Sequence, residues 1–234
     1  MTEAKVWAVV PAAGKGARMG ATTPKQYLQL AGKSVLQHTL ELLLGHPRIT
    51  ATALVISADD KLWSSHAHAF GDDLHLAIGG SERCHSVLAG IDALSEIGDE
   101  SDWVLVHDAA RPCLRASDID QMLTELGDSR WGGILASPVR DTLKRCSDTG
   151  EIESTVDRTR LWHALTPQMF RLGTLRDALS RALNGGLIVT DEAQAIEAAG
   201  GTPRIVEGHA DNIKVTHPAD LKLAEIYLKI QGRY

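Results

Sequence analysis

Short apolar runs rich in β-branched residues recur along the chain at 6–10, 51–56, 74–78, 103–106, 133–136 and 204–206. They are too short to be read as helices and read as strands. Between them, apolar positions return every three or four residues over 34–44, 59–70, 84–97, 117–126, 172–183, 191–199 and 218–230, which predicts seven helices. Strand-like and helix-like periods alternate, so the expected architecture is α/β, with a mostly parallel sheet flanked by helices. The ends agree with this pattern: Ser34 and Thr190 can cap helix starts, Gly45 and Gly200 can end helices, and Pro218 suits a first turn.

One segment breaks the alternation. Residues 139–162 are largely polar with a period near two, and Asp148-Thr149-Gly150 supplies a turn. This predicts a β-hairpin projecting from the main body. A polar hairpin has little apolar surface to bury and is marginal alone. Either a second copy of the chain holds it, or a substrate orders it.

Composition narrows the function without choosing it. With 44% apolar and 23% charged residues, the chain has the make-up of a folded globular protein. A formal charge of -6 opposes a nucleic-acid footprint spread over the whole surface, so any anion site must be local. The three cysteines, Cys84, Cys113 and Cys146, form no C-x-x-C pair and suggest neither a disulfide framework nor a zinc cluster, so a reducing, cytoplasmic compartment is expected. The first residues lack the pattern of an export signal, and no apolar run reaches membrane-spanning length.

The chemistry concentrates where runs end. After the first run comes PAAGKGARMGATTPKQY, with Gly14, Gly16 and Gly20 interleaved with Lys15 and Arg18 and followed by Lys25. Glycines there let backbone N–H groups approach phosphate oxygens. The spacing G-x-G-x-x-x-G is one residue longer than the dinucleotide fingerprint, and no G-x-x-x-x-G-K-[ST] is present, so neither a dehydrogenase nor a P-loop NTPase is indicated. Cations added to an amide cradle suit a triphosphate undergoing displacement. Pro24 stiffens its own position and Thr23, so Lys25 is presented from a constrained stretch.

Two further clusters follow. VLVHDAARP places His107, Asp108 and Arg111 just past a strand; Asp108 is a candidate Mg²⁺ ligand, although the same carboxylate could cap a helix or bond a loop. His107 reads as packed or hydrogen-bonded. GGSERCHSVLAGI sets Ser81, Arg83 and Ser86 behind glycines at a helix start, as contacts for a base or ribose or as a plain turn into the helix. Neither H-E-x-x-H nor G-x-S-x-G occurs, which removes zinc and serine hydrolases.

These motifs, together with TVDR, LWHALTPQ, TDEA and DNIKVT in this order, resemble the 2-C-methyl-D-erythritol 4-phosphate cytidylyltransferase family of the nucleotidyltransferase superfamily, over nearly the whole chain. The resemblance implies a Rossmann-like three-layer sandwich, one domain over 1–234, with 139–162 as a β-arm used in dimerisation. It implies transfer of CMP from CTP to 2-C-methyl-D-erythritol 4-phosphate in the non-mevalonate isoprenoid pathway, with pyrophosphate released.

The residues carried over are Arg18, Lys25, Arg158 and Lys214 for catalysis. Ala12, Ala13, Gly14, Lys15, Gly16, Gly80, Ser81, Arg83, Ser86 and Ala109 would hold the nucleotide. Arg111, Thr142, Arg158, Thr166, Thr190 and Lys214 would hold the acceptor, and Asp108 the Mg²⁺ or another divalent cation. The implied partners are CTP, a sugar-alcohol phosphate and a second copy of the chain, with no nucleic acid and no membrane. The rival acceptor is ribitol 5-phosphate or another pentitol phosphate. A non-catalytic nucleotide-binding regulator would lack the cationic pair or the aspartate, and this chain has both.

Overall fold

The computed structural model describes residues 4–14 and 23–234. Seven strands form the central sheet, in the order β11 (Arg204–Glu207), β7 (Gly133–Pro138), β10 (Trp162–Arg171), β6 (Trp103–Val106), β1 (Val6–Pro11), β4 (Ala51–Ile56) and β5 (Leu74–Ile78). Every neighbouring pair is parallel except those made by β10, which runs antiparallel to both β6 and β7. The α/β expectation therefore holds, with a reversed strand in the middle of a mostly parallel sheet.

Alternation along β1 explains the layering. Val6, Ala8 and Val10 point to one face and pack with Leu36, Leu40 and Leu43 of α1 (Val35–Leu44) and with Ile119, Met122 and Leu126 of α3 (Ala116–Leu126). Trp7 and Val9 point to the other face and meet α2 (Arg83–Ser95), α4 (Leu172–Asn184) and α5 (Glu192–Ala198). A third, smaller cluster seats α6 (Pro218–Ile230) through Ala224 and Leu228 on Val35, Cys113 and Val215. The short ribbon of β2 (Gln29–Leu30) and β3 (Lys33–Ser34) leads into α1, where the Ser34 hydroxyl caps the helix by accepting from Gln37 N. Among the described residues, no helix is long and apolar enough to cross a membrane.

Residues 139–162 contain a separate antiparallel pair, β8 (Leu143–Cys146) and β9 (Ile152–Val156). Its turn closes at Gly150, whose φ of 85° is one that L side chains rarely adopt.

Two expectations are corrected. Residues 59–70 are not one helix but two 3-10 turns, Trp63–Ser65 and Ala67–Ala69. The Asp60 carboxylate accepts from Leu62 N, Trp63 N and the Tyr27 hydroxyl, so side-chain bonds replace a helical ladder there. The cap of α5 is Asp191, which accepts from Gln194 N, rather than Thr190, which donates to the Gln194 side chain. β10 was not anticipated at all.

Helix α2 lies unusually close to the sheet. A methyl group at Gly90 would stand 2.7 Å from Val9 Cγ1 and 2.8 Å from Val55 Cγ2, both on rigid strands. Gly90→Ala gains about 1 kcal/mol of helix propensity but forces an overpacked contact costing roughly 1–3 kcal/mol. We expect net destabilisation, read as a lower urea midpoint at unchanged m-value; a higher midpoint would show that α2 shifts without cost.

Candidate active site

The chain runs from β1 to β4 and β5 on one side, then returns to place β6 on the other side of β1. The gap past the carboxyl ends of β1 and β6 is thus a topological switch point, where open α/β sheets bind ligands. A cleft of about 430 Å³ opens there. Ala12, Ala13 and Gly14 line it from the end of β1, Lys25 from the PKQY turn, Gly80, Ser81, Arg83 and Ser86 from the start of α2, Asp108 and Ala109 from the end of β6, and Lys214 from the loop after β11. Eleven expected site residues from five parts of the sequence therefore share one wall. Lys15, Gly16 and Arg18 lie outside the described residues.

Local structure explains how these groups are presented. Gln26 is buried and donates from Nε2 to Ala12 O at 2.7 Å and Gly14 O at 3.4 Å, fastening the PKQY turn to the end of β1. Gly79 is needed for close approach, because a Cβ there would come within 2.6 Å of both Ala13 Cβ and Ser86 Oγ. Glu82 caps α2 in a reciprocal box with His85, and the helix directs its amino end to the cleft, which favours an anion.

The centre of the site is Asp108. Its Oδ1 accepts from Arg83 Nε at 3.0 Å, its Oδ2 lies 2.7 Å from Lys214 Nζ, and Arg111 Nε stands 3.6 Å from the same oxygen. Burial alone would raise the carboxyl pKa, but Arg83, Lys214 and Arg111 outweigh it and hold Asp108 well below the usual carboxylate range. Arg83 also grips Glu192, from Nη1 to Oε1 at 2.5 Å and from Nη2 to Oε2 at 3.2 Å. Burial pushes the Glu192 carboxyl upward, and the Arg83 guanidinium opposes that push.

Behind Asp108 lies a neutral hydrogen-bond chain. His107 Nε2 is 3.0 Å from Arg111 O, which can only accept, so Nε2 carries the proton. Nδ1 then accepts from the Thr166 hydroxyl at 3.0 Å, and the Thr166 oxygen accepts from Asp108 N at 3.1 Å. Burial lowers the His107 pKa to about 4, keeping the ring neutral. Asn212 adds a further tie: its Nδ2 donates to Thr166 O at 2.7 Å, and its backbone O accepts from Arg111 Nη1 at 2.7 Å.

Five expected acceptor residues do not line this cleft. Thr166 is buried behind it with its hydroxyl occupied. Thr190 is exposed ahead of α5. Thr142 and Arg158 are exposed in the hairpin segment, where Arg158 donates to Arg140 O. Arg111 is buried beside Asp108 without lining the cleft. Conversely, sequence reasoning gave Glu192, Gln168, Asn212 and Gln26 no role although each sits inside a quoted motif. The one available signal for Glu192 was an acidic residue at a helix start, which reads first as capping.

Among the described residues no three His, Cys, Asp or Glu side chains gather to hold a metal ion. Two carboxylates line the cleft among the described residues, Glu82, which caps α2, and Asp108. Asp108 is the one ion-paired to Arg83 and Lys214, and its oxygens each retain lone-pair capacity beside the contacts named above. A single ionised carboxylate fits Mg²⁺ where substrate phosphates complete the ligand set.

Comparison with known proteins comes out consistently. The profile of the 2-C-methyl-D-erythritol 4-phosphate cytidylyltransferase family matches residues 6–230. The 2-C-methyl-D-erythritol 4-phosphate cytidylyltransferase of Pseudomonas putida is 54% identical over 217 residues, 92% of each chain. The protein of that name from Shewanella oneidensis is 55% identical over 223 residues, 95% of this chain and 88% of the other. The crystal structure of the Francisella tularensis protein of the same name superposes with a TM-score of 0.84 at 33% identity, covering 96% of this chain and 100% of that one.

Thr166→Val keeps the shape but strands two buried groups, Asp108 N–H and His107 Nδ1. At about 1–3 kcal/mol for each unsatisfied group, we expect a stability loss of roughly 2–4 kcal/mol in urea unfolding. A loss below about 1 kcal/mol would mean that another group takes over these bonds.

Proposed function

Because the chain belongs to the 2-C-methyl-D-erythritol 4-phosphate cytidylyltransferase family, we propose that it carries out that reaction, moving CMP from CTP to 2-C-methyl-D-erythritol 4-phosphate. The observation that carries the reading at the level of chemistry is the cationic cleft at the switch point, where Lys25, Arg83 and Lys214 converge with a deeply ionised Asp108. A phosphate oxygen of the acceptor attacks the α-phosphorus of CTP. A new P–O bond forms, the bond to the β-phosphate oxygen breaks, and pyrophosphate leaves, so no covalent enzyme intermediate is required.

In this reading Lys25 and Arg18 stabilise charge on the α-phosphoryl group as the bonds exchange. Ala12 to Gly14, with Gly80, Ser81, Arg83, Ser86 and Ala109, hold the nucleotide, together with Lys15 and Gly16. Lys214 and Arg111 attract the acceptor phosphate. Asp108 holds the divalent cation, which when bound neutralises triphosphate charge. Gln26 keeps the Lys25 turn fastened to β1, so the ammonium is aimed before the substrate arrives.

The hairpin completes the proposal. Thr142 and Arg158 are exposed and absent from the lining of their own chain's cleft, and the pair β8 and β9 is polar and hydrogen-bonded separately from the main sheet. Both facts support an arm that reaches a second copy and offers Thr142 and Arg158 to the partner's acceptor site, with Thr166 and Thr190 shaping the wall from within.

The test of the reaction is pyrophosphate release from CTP and Mg²⁺ with 2-C-methyl-D-erythritol 4-phosphate and ribitol 5-phosphate as parallel acceptors. Release with the first alone is expected. Release with ribitol 5-phosphate alone would keep the chemistry and overturn the acceptor.

The arm is tested with differently tagged Lys25→Ala and Arg158→Ala chains purified as a heterodimer. Each homodimer should lose about 10²-fold or more in kcat. If the arm acts across the interface, the heterodimer keeps one intact site and about half of the wild-type activity. An inactive heterodimer would place Arg158 in its own chain's site.

A further inference from the structure

Glu192 is a carboxylate only 1% exposed, and the reaction as read above gives it nothing to touch. Among the described residues, the hydrogen-bond partner of its side chain is Arg83. The fold grips α5 on both sides of it through one buried side chain. Gln168 of β10 donates from Nε2 to Asp191 Oδ2 at 3.0 Å, and its Oε1 accepts from Ala193 N at 2.9 Å. A carboxylate aimed with this much care has a use.

The orientation of Arg83 points to that use. A guanidinium binds a carboxylate best through two parallel N–H bonds. Here the Nη1/Nη2 edge is taken by Glu192, and Asp108 receives Nε alone, on Oδ1. Oδ2 of Asp108 is left to Lys214 at 2.7 Å. Without the Glu192 charge, no other hydrogen-bond partner among the described residues would hold the two-nitrogen edge away from Asp108, which Arg83 already touches. A two-point embrace would add a guanidinium bond to Oδ2, which already meets Lys214 at 2.7 Å and Arg111 at 3.6 Å, and would use up the lone-pair capacity that Oδ2 keeps.

We propose that Glu192 is a positioning residue, which by occupying the paired edge of Arg83 keeps Asp108 from being captured and leaves it available to the divalent cation that accompanies the nucleotide. The proposal rests on the reading of Asp108 as the metal-facing carboxylate.

The test is binding rather than turnover. CTP is titrated calorimetrically into the full chain, without acceptor, over a series of Mg²⁺ concentrations. Glu192→Gln should keep its circular dichroism and raise the Mg²⁺ needed for half-maximal CTP binding by about tenfold or more, the scale seen when a supporting partner of a metal ligand is removed. In an Arg83→Met background, where no guanidinium remains to be diverted, adding Glu192→Gln should change that requirement less than about twofold.

A Mg²⁺ requirement within twofold of wild type in Glu192→Gln would overturn the proposal. So would a rise of equal size in the Arg83→Met background, since that is what a merely structural role gives. Should Glu192→Gln fail to fold, Gln168→Met, which loosens the grip on α5, is expected to raise the requirement in the same direction, and an unchanged value would count against the idea. A wild-type protein that binds CTP independently of Mg²⁺ would overturn the reading of Asp108 itself, and one that binds no CTP would overturn the proposed reaction.

Discussion

The site depends on keeping one carboxylate ionised where water hardly reaches. Asp108 is 7% exposed, and a lone carboxylate at that depth would take up a proton rather than remain charged. Three cations prevent this, and each comes from a different part of the chain: Arg83 from the first turn of α2, Arg111 from the turn after β6, and Lys214 from the loop ahead of α6. That requirement ties residues more than a hundred positions apart into one wall. It also explains why Arg111 belongs to the site without lining the cleft.

The reversed strand β10 makes the wall possible. Two of its residues serve three different tasks. The Thr166 hydroxyl takes the Asp108 amide and fixes the His107 ring, the Thr166 carbonyl takes Asn212, and Gln168 grips the start of α5. The register against β7 shifts between Ala164 and Gln168, where Pro167 offers no N–H to the ladder. The freed backbone is what allows Thr166 O to turn toward Asn212 instead of toward a neighbouring strand.

This strand is also where sequence reasoning ran out, for the same reason. LWHALTPQMF carries a proline inside its run and begins with exposed residues, so it lacks both a clean alternation and a continuous apolar core. Of the six strands in parallel pairs, β1, β4, β6 and β7 were legible because burial makes them short, nearly unbroken apolar runs. The edge strands β5 and β11 were legible as short apolar runs although most of their side chains are not buried. Residues 59–70 misled because helical spacing was present while Asp60 and Trp63 spent their bonds locally. Of the site, the glycines and cations that line the cleft were legible because a wall suited to an anion calls for those types. Glu192 and Gln168 were not, because what they do depends on Arg83 and α5 arriving from elsewhere.

Viewed as energetics, the linked cluster is an expensive way to hold a protein together. Buried ion pairs recover little more than the desolvation they cost, and apolar packing of the same volume often does better. What the network supplies instead is preorganisation. Arg83, Arg111 and Lys214 outnumber Asp108 and Glu192, so the linked groups hold a net positive charge in a chain whose formal total is -6. The two carboxylates keep those cations in place before any substrate arrives, and the charge left over is what a triphosphate and a phosphate monoester would both seek. A site that carries its reorganisation cost in the folded state does not meet it again at the transition state.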